Sequence, residues 1–138
     1  MGALQLAATM DAIAAALVTG GIVSSGHAYA WPVEALVPGD AIVGYPEDDG
    51  IDVDMTFGRG ADQAVIPVWV ICGLPQDKAT RDRVSVLVGS GSSVKGALDG
   101  TLSGLVSSCV ATNPRITTDI NAAGLALVAV RFDCEIIS

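Results

Sequence analysis

Three stretches of this chain carry residues whose types and spacing could do chemistry. The first is Glu47-Asp48-Asp49-Gly50-Ile51-Asp52-Val53-Asp54, with five carboxylates in eight residues. Clustered carboxylates supply the oxygen ligands that Ca²⁺ takes. The EF-hand spacing, with its closing Glu, is not followed, so the stretch reads as a solvated acidic hairpin tip. The second is Gly89-Ser90-Gly91-Ser92-Ser93-Val94-Lys95-Gly96. A phosphate loop needs Gly-Lys-Ser/Thr, so that backbone amides, an ammonium and a hydroxyl converge on phosphate and metal. Here Val94 precedes Lys95 and Gly96 follows it, and Val94 also stands where the dinucleotide fingerprint needs its third Gly. The stretch reads as a helix-joining turn with a Ser cap. The third is His27, the only histidine. Paired with Cys72, Cys109 or a Ser it would make a nucleophile and its base, but no motif places them together. One His and no Cys-x-x-Cys spacing do not compose a zinc site. No metal or cofactor is expected, and by elimination the chain reads as a non-enzyme.

The elements that would position these residues follow from periodicity. Ala3–Thr19 reads as an amphipathic helix, with Leu6, Met10, Ile13 and Leu17 on one line, Gln5, Thr9 and Asp11 off it, and Gly20-Gly21 ending it. A short strand near His27–Val33 stops at Pro32, Leu36–Asp40 turns through Pro38-Gly39, and Ala41–Tyr45 is the next strand. Ile51, Val53 and Met55 alternate with Asp52, Asp54 and Thr56, the period of a strand with one wet face. Gly58 and Gly60 bracket Arg59 at a turn. Ala64–Cys72 then returns, apolar on both faces like a central strand, with Pro67 expected at a bulge, near the start of pairing or at an unpaired edge position. Asp77 reads as the N-cap of a helix over Ala79–Val88, with Val84, Leu87 and Val88 inward and Arg81, Asp82 and Ser85 outward. A second short helix runs to Leu98 and ends at Asp99-Gly100. Val106–Ala111 is a strand, Asn113-Pro114 turns the chain, and Gly124–Ile137 is a long final strand. The order predicts one α+β domain over residues 1–138, a mostly antiparallel sheet with an N-terminal helix and two further helices packed on it.

Composition narrows the function classes. An apolar fraction of 51% describes a globular chain, and with only 4% aromatics its core must be aliphatic. The net charge of −8 argues against tight binding to nucleic acid, which draws on Lys and Arg to neutralise phosphates. The charge is segregated. Before Arg59 there is no Lys or Arg, but there are Asp11, Glu34, Asp40, Glu47, Asp48, Asp49, Asp52 and Asp54; from Arg59 onward seven bases meet seven acids. Such a half aids solubility, or lines identical subunits against a polyanion that must slide past. Cys72, Cys109 and Cys134 read as small buried hydrophobes rather than a disulfide frame. Ala28-Tyr29-Ala30 imitates a signal-peptidase site, but no basic segment precedes it, and no membrane span is expected.

An ordered set of short motifs carries a family resemblance. Thr56-Phe57-Gly58-Arg59-Gly60-Ala61-Asp62 is followed by Ile66-Pro67-Val68-Trp69-Val70 and Gly73, then by Asp77, Arg81 and Asp82. Gly91-Ser92-Ser93-Val94-Lys95-Gly96-Ala97-Leu98 and Gly100-Thr101-Leu102-Ser103-Gly104 complete it. Together with the initial helix and the length, this set resembles the small tail-terminator and neck proteins of long-tailed phages of actinobacteria, over nearly the whole chain. The resemblance implies a ring, usually a homo-hexamer, at the head-proximal end of the tail tube. Such a ring stops polymerisation of the tail tube protein, joins the tail to the head-closure or neck protein, and passes DNA through its lumen without binding it specifically. It implies a virion protein assembled in the host cytoplasm, and no catalytic residues. Charge segregation adds the expectation that Asp48, Asp49, Asp52 and Asp54, with Arg59, lie at an interface or at the lumen. Glu47–Gly50 and Phe57–Asp62 are the expected protrusions. The alternatives are a head-closure or neck connector ring, a cytosolic small-molecule-binding module, and an enzyme using Ser or Cys with His27.

Overall fold

The computed structural model describes residues 5–31, 39–46, 51–52, 62–88, 93–102, 104–122 and 125–138. Its elements are α1 (Leu6–Thr19), β1 (Ala28–Tyr29), β2 (Ala41–Val43), β3 (Ile51–Asp52), β4 (Gln63–Gly73), α2 (Lys78–Leu87), α3 (Ser93–Leu98), β5 (Ser108–Ala122) and β6 (Leu125–Ile137). The predicted turn around Arg59 lies outside the described residues, as does Ser92; of the two serines expected to cap the second short helix, Ser92 or Ser93, the latter is the first residue of α3.

The fold is α+β. The sheet runs β1-β2-β4-β6-β5, with β3 also paired to β4. Only β1 and β2 run parallel; the other pairs are antiparallel. Period-two alternation in β4 puts Ala64, Ile66, Val68, Val70 and Cys72 on one face, all buried. There they join Val130, Phe132, Cys134 and Ile136 of β6, Met10, Ile13 and Leu17 of α1, and Val94 and Leu98 of α3 in a single core. Each large aliphatic side chain so buried contributes about 1.5–3 kcal/mol. The opposite face carries a smaller cluster of Ile42, Ile71, Leu127 and Ala129 with Trp69 half-buried beside it. β4 is thus central, as its sequence predicts, but its second face is thinly covered.

Pro67 fits the middle of β4 because of where β2 stops. The Gly44 N–H donates to the Pro67 carbonyl at 2.8 Å, one residue beyond the last of β2. A strand residue's N–H and C=O point to the same side, so the donor that proline lacks would have faced Gly44, not β6. The irregularity in pairing with β6 lies instead between Ile71 and Gly73.

Three local expectations are corrected. Asn113-Pro114 does not turn the chain. β5 continues through it to Ala122, its register on β6 slipping between Thr112 and Arg115, with Asn113 at φ 56°. An edge strand tolerates proline and a bulge, and the long β6 run offers partners on both sides of it. Asp77 occupies the N-cap of α2 but makes no side-chain capping bond. Thr9, off the apolar line of α1, is buried; its hydroxyl donates to the Gln5 carbonyl at 2.8 Å, which satisfies it without water.

The outer edge of β5 is partly closed by the chain leaving α3. Gly100 and Cys109 exchange backbone hydrogen bonds at 2.8 and 2.6 Å. The Ala111 N–H donates to Asp99 Oδ1 at 2.8 Å and the Ala111 carbonyl accepts from Lys95 Nζ at 3.0 Å. Pairing of this kind removes an edge as a template for aggregation. Among the described residues, no helix is long and apolar enough to cross a membrane.

Candidate assembly surface

The sheet has two unlike ends, set by strand direction. β2 runs antiparallel to β4, and β1 parallel to β2, so β1 and β2 head toward the start of β4, with Val43, the last residue of β2, opposite Val68. Trp31 and Tyr45 follow β1 and β2, 57% and 62% exposed, although most tryptophan and tyrosine area is buried in a folded domain. At the start of β4 Ile51 and Asp52 pair with Ala64 and Gln63.

Of the charged residues singled out by sequence, Asp52 therefore sits on β3 opposite Gln63. Asp48, Asp49, Asp54 and Arg59 lie outside the described residues. The residues that bound their segments, Pro46, Ile51, Asp52 and Asp62, share this end of the sheet. Asp62 is not a protrusion: it is 7% exposed. Its N–H donates to Ser138 Oγ at 2.7 Å, and the Ser138 N–H returns a bond to its carbonyl at 2.9 Å. Ser107 Oγ donates to the Ser138 carbonyl at 2.9 Å, so the last residue is clasped between β4 and β5.

The other end is built by Gly73, α2 and the turn after α1. Gly73 has φ +144°, and a Cβ on it would stand 2.5 Å from Thr80 Oγ1, so the strand can pass under the first turn of α2 only as glycine. Arg83 Nη1 donates to the Cys72 carbonyl at 2.6 Å, fixing α2 to the end of β4. A groove of about 510 Å³ opens between α2, the end of β4 and the turn after α1, lined by Ile22, Val70, Ile71, Arg83, Val86 and Leu87 among others. Val86 on its rim is 67% exposed.

Sequence reading missed a histidine–carboxylate pair at this second end. His27 Nδ1 lies 2.7 Å from Asp40 Oδ1, with Asp40 only 2% exposed. The parallel register of β1 and β2 brings the residues preceding each strand side by side. A carboxylate on Nδ1 fixes ring orientation in the way that hydrolytic triads use. Cys72 and Cys109, the cysteines considered as nucleophiles, are buried and free, as is Cys134. No sequence motif signals a parallel pairing of two such short strands.

On the thin face of the sheet, Arg115 Nη2 donates to both oxygens of Asp133 at 2.9 and 2.8 Å, and Arg131 Nε reaches the same carboxylate at 3.3 Å. The Arg131 guanidinium also stacks 5.2 Å from the Trp69 ring, a cation–π contact. Trp69 in turn lies over Gly44, where a Cβ would meet its ring at 2.5 Å.

Burial pushes the Cys72 thiol up, against the opposing pull of the Arg83 guanidinium. Cys134 is pushed well above the ordinary range by its hydrogen bond with Cys109 and by burial. Among the described residues, no group of three His, Cys, Asp or Glu side chains could hold a metal ion. No protein-family model matches the chain, and no curated protein matches it.

Proposed function

We propose that this chain is the subunit of a ring at the head-proximal end of a phage tail tube, where it terminates tube polymerisation, joins the tail to the neck and lets DNA pass. The reading rests first on the motif set shared with tail-terminator and neck proteins. The structural observation that carries it is the polarity of the sheet. β3, which bounds the acidic segments, pairs with the start of β4, and β2 heads toward it past the exposed Tyr45, while α2 and its groove stand at the end of β4. A body with two unlike ends suits heterologous contacts, which close into rings when the rotation per subunit permits. Its action is steric and geometric: one ring face meets the last tube ring, the other meets the neck. Acidic side chains at the lumen would repel phosphate and keep DNA mobile.

The test is negative-stain microscopy of the purified protein together with gold labelling of a tag in intact particles. Rings with a central opening, and label at the top of the tail, are expected. Label on the head side of the neck assigns the protein to the head-closure ring. A monomer at high concentration overturns the reading. A groove of about 590 Å³ between α1 and α3, lined by Ala12, Ala16, Gly20, Ala97, Thr101 and Leu102 among others, favours a small-molecule-binding module as the second reading. Thermal stabilisation of a monomer by a metabolite would support it.

A further inference from the structure

We propose that Cys109 and Cys134 form a two-thiolate site for a soft cation of low coordination number, of which Cu(I) is the type. The site lies within one chain and stands whether or not copies assemble.

Strand register brings the two sulfurs together. Cys109 pairs with Ile136 and Ala111 with Cys134, so the two cysteines are diagonal neighbours across β5 and β6. All four residues belong to the same core, and both cysteines are 0% exposed. The Cys134 thiol donates to the Cys109 sulfur.

Spacing decides what the pair can hold. Diagonal neighbours on a sheet stand about 7–8 Å apart, somewhat less at Cβ. A disulfide needs about 4.4–6.8 Å between Cα atoms and a sulfur–sulfur bond of about 2 Å. Two thiolates joined through a cation are separated by up to two metal–sulfur bonds, about 4.6 Å at 2.3 Å each. The diagonal therefore suits a bridging ion better than a direct bond. Ala111, directly opposite Cys134, contributes only a methyl group beside it.

Chemistry decides which ion. Among the described residues, no third His, Cys, Asp or Glu joins the pair to complete a larger ligand set. The sheet neighbours are apolar: Ile66 flanks Cys134 from β4, and Ile136 faces Cys109 from β6. Zn²⁺ and Ca²⁺ take four or more ligands. Soft thiolates select Cu(I), which two of them can hold in a line. Binding is an exchange: the two thiols release two protons, one Cu⁺ takes their place, and the S–Cu–S unit carries a single negative charge. No oxidant or reductant takes part. Cys109 gives up its proton first, because the bond from Cys134 holds its thiol below the ordinary value.

The way in is the outer edge of β5. Gly100 pairs with Cys109 and has no side chain, and a Cβ there would meet nothing within 4 Å. Parting the two Gly100–Cys109 backbone bonds and the bond from the Ala111 N–H to Asp99 is a local opening. A bare ion needs a smaller gap there than an organic thiol reagent does.

The experiment equilibrates the full chain, reduced and free of oxygen, with Cu(I) held by bicinchoninate, whose colour reports the copper it loses. One equivalent should pass to the protein. Cys109→Ser and Cys134→Ser should each weaken binding at least about 100-fold, since losing a ligand exceeds the 10–100-fold cost of losing an outer partner. Cys72→Ser is the control and should bind as the parent does. Its neighbour Ile71 pairs with Ala129, five residues along β6 from Cys134, about 16 Å at 3.3 Å per residue. Circular dichroism shows which variants are folded. Because a serine in the core can unfold the chain, copper-edge X-ray absorption on the loaded parent supplies a second reading, with two sulfur neighbours expected. A parent that takes no copper, a folded Cys109→Ser or Cys134→Ser that keeps it, a folded Cys72→Ser that loses it, or any neighbours at copper other than two sulfurs overturns the inference.

Discussion

His27 and Asp40 precede two parallel strands and meet across them, imidazole Nδ1 to carboxylate Oδ1 at 2.7 Å, with the carboxylate almost wholly buried and the imidazole half in water. The pair ties β1, a two-residue edge strand, to β2. Replacing His27 by Ala removes a hydrogen-bond donor to a buried charge, a change that costs about 1–3 kcal/mol. Urea denaturation should show this loss, and His27→Asn, which keeps a donor near the same position, should recover part of it. An unchanged midpoint would mean the contact contributes nothing to stability.

Gly73 is the second prediction. Its φ of +144° and the 2.5 Å approach of an added Cβ to Thr80 Oγ1 are separate penalties. Gly73→Ala should destabilise by about 1–3 kcal/mol from the backbone alone, and more from the clash. Thr80→Ala should relieve the clash but not the backbone cost, so the double variant should be less unstable than the sum of the two single changes.

Asp133 holds the thin face together. It is 15% exposed on its side chain and accepts from Arg115 and Arg131. Asp133→Asn should cost about 1–2 kcal/mol, because charge-assisted bonds exceed neutral ones. The loss should shrink in high salt, which already screens the partly exposed Arg115 pair. Trp69 fluorescence should shift as well, since Arg131 lies over its ring.

Thiol chemistry gives a fourth test. Cys72 and Cys134 are buried and held above the ordinary thiol range, Cys72 first by burial and Cys134 first by its bond with Cys109. Thiols whose folded pKa is raised stay protonated to higher pH than in the unfolded chain, so folding is favoured as long as pH stays below the unfolded value and loses that support as pH rises past it. At pH 8 the native protein should react slowly with a thiol reagent, and all three cysteines should react at once in denaturant. Fast stoichiometric labelling of the native protein would contradict the buried placement.

The acidic segments yield the fifth. Changing Asp48, Asp49, Asp52 and Asp54 to Asn should alter ring assembly or slow DNA ejection from assembled particles. Unchanged assembly, tail length and ejection would remove the role given to their charge.

The sequence by itself determined the α+β class, the central place of β4, the inward line of α1 and the outward face of α2, because each depends on the periodicity of apolar residues along one segment. It also supplied the inert cysteines, buried as read. Tertiary structure decided what depends on partners distant in sequence. Asn113-Pro114 looks like a turn locally and becomes a bulge because β6 continues beside it. Pro67 fits a central strand only because β2 ends one residue earlier. His27 finds Asp40, and Trp31 comes to share an end with Tyr45, through the parallel pairing of two short strands. Their sequence carries no periodicity long enough to announce that pairing; the packing of α1 over both strands supplies the stability that they lack alone.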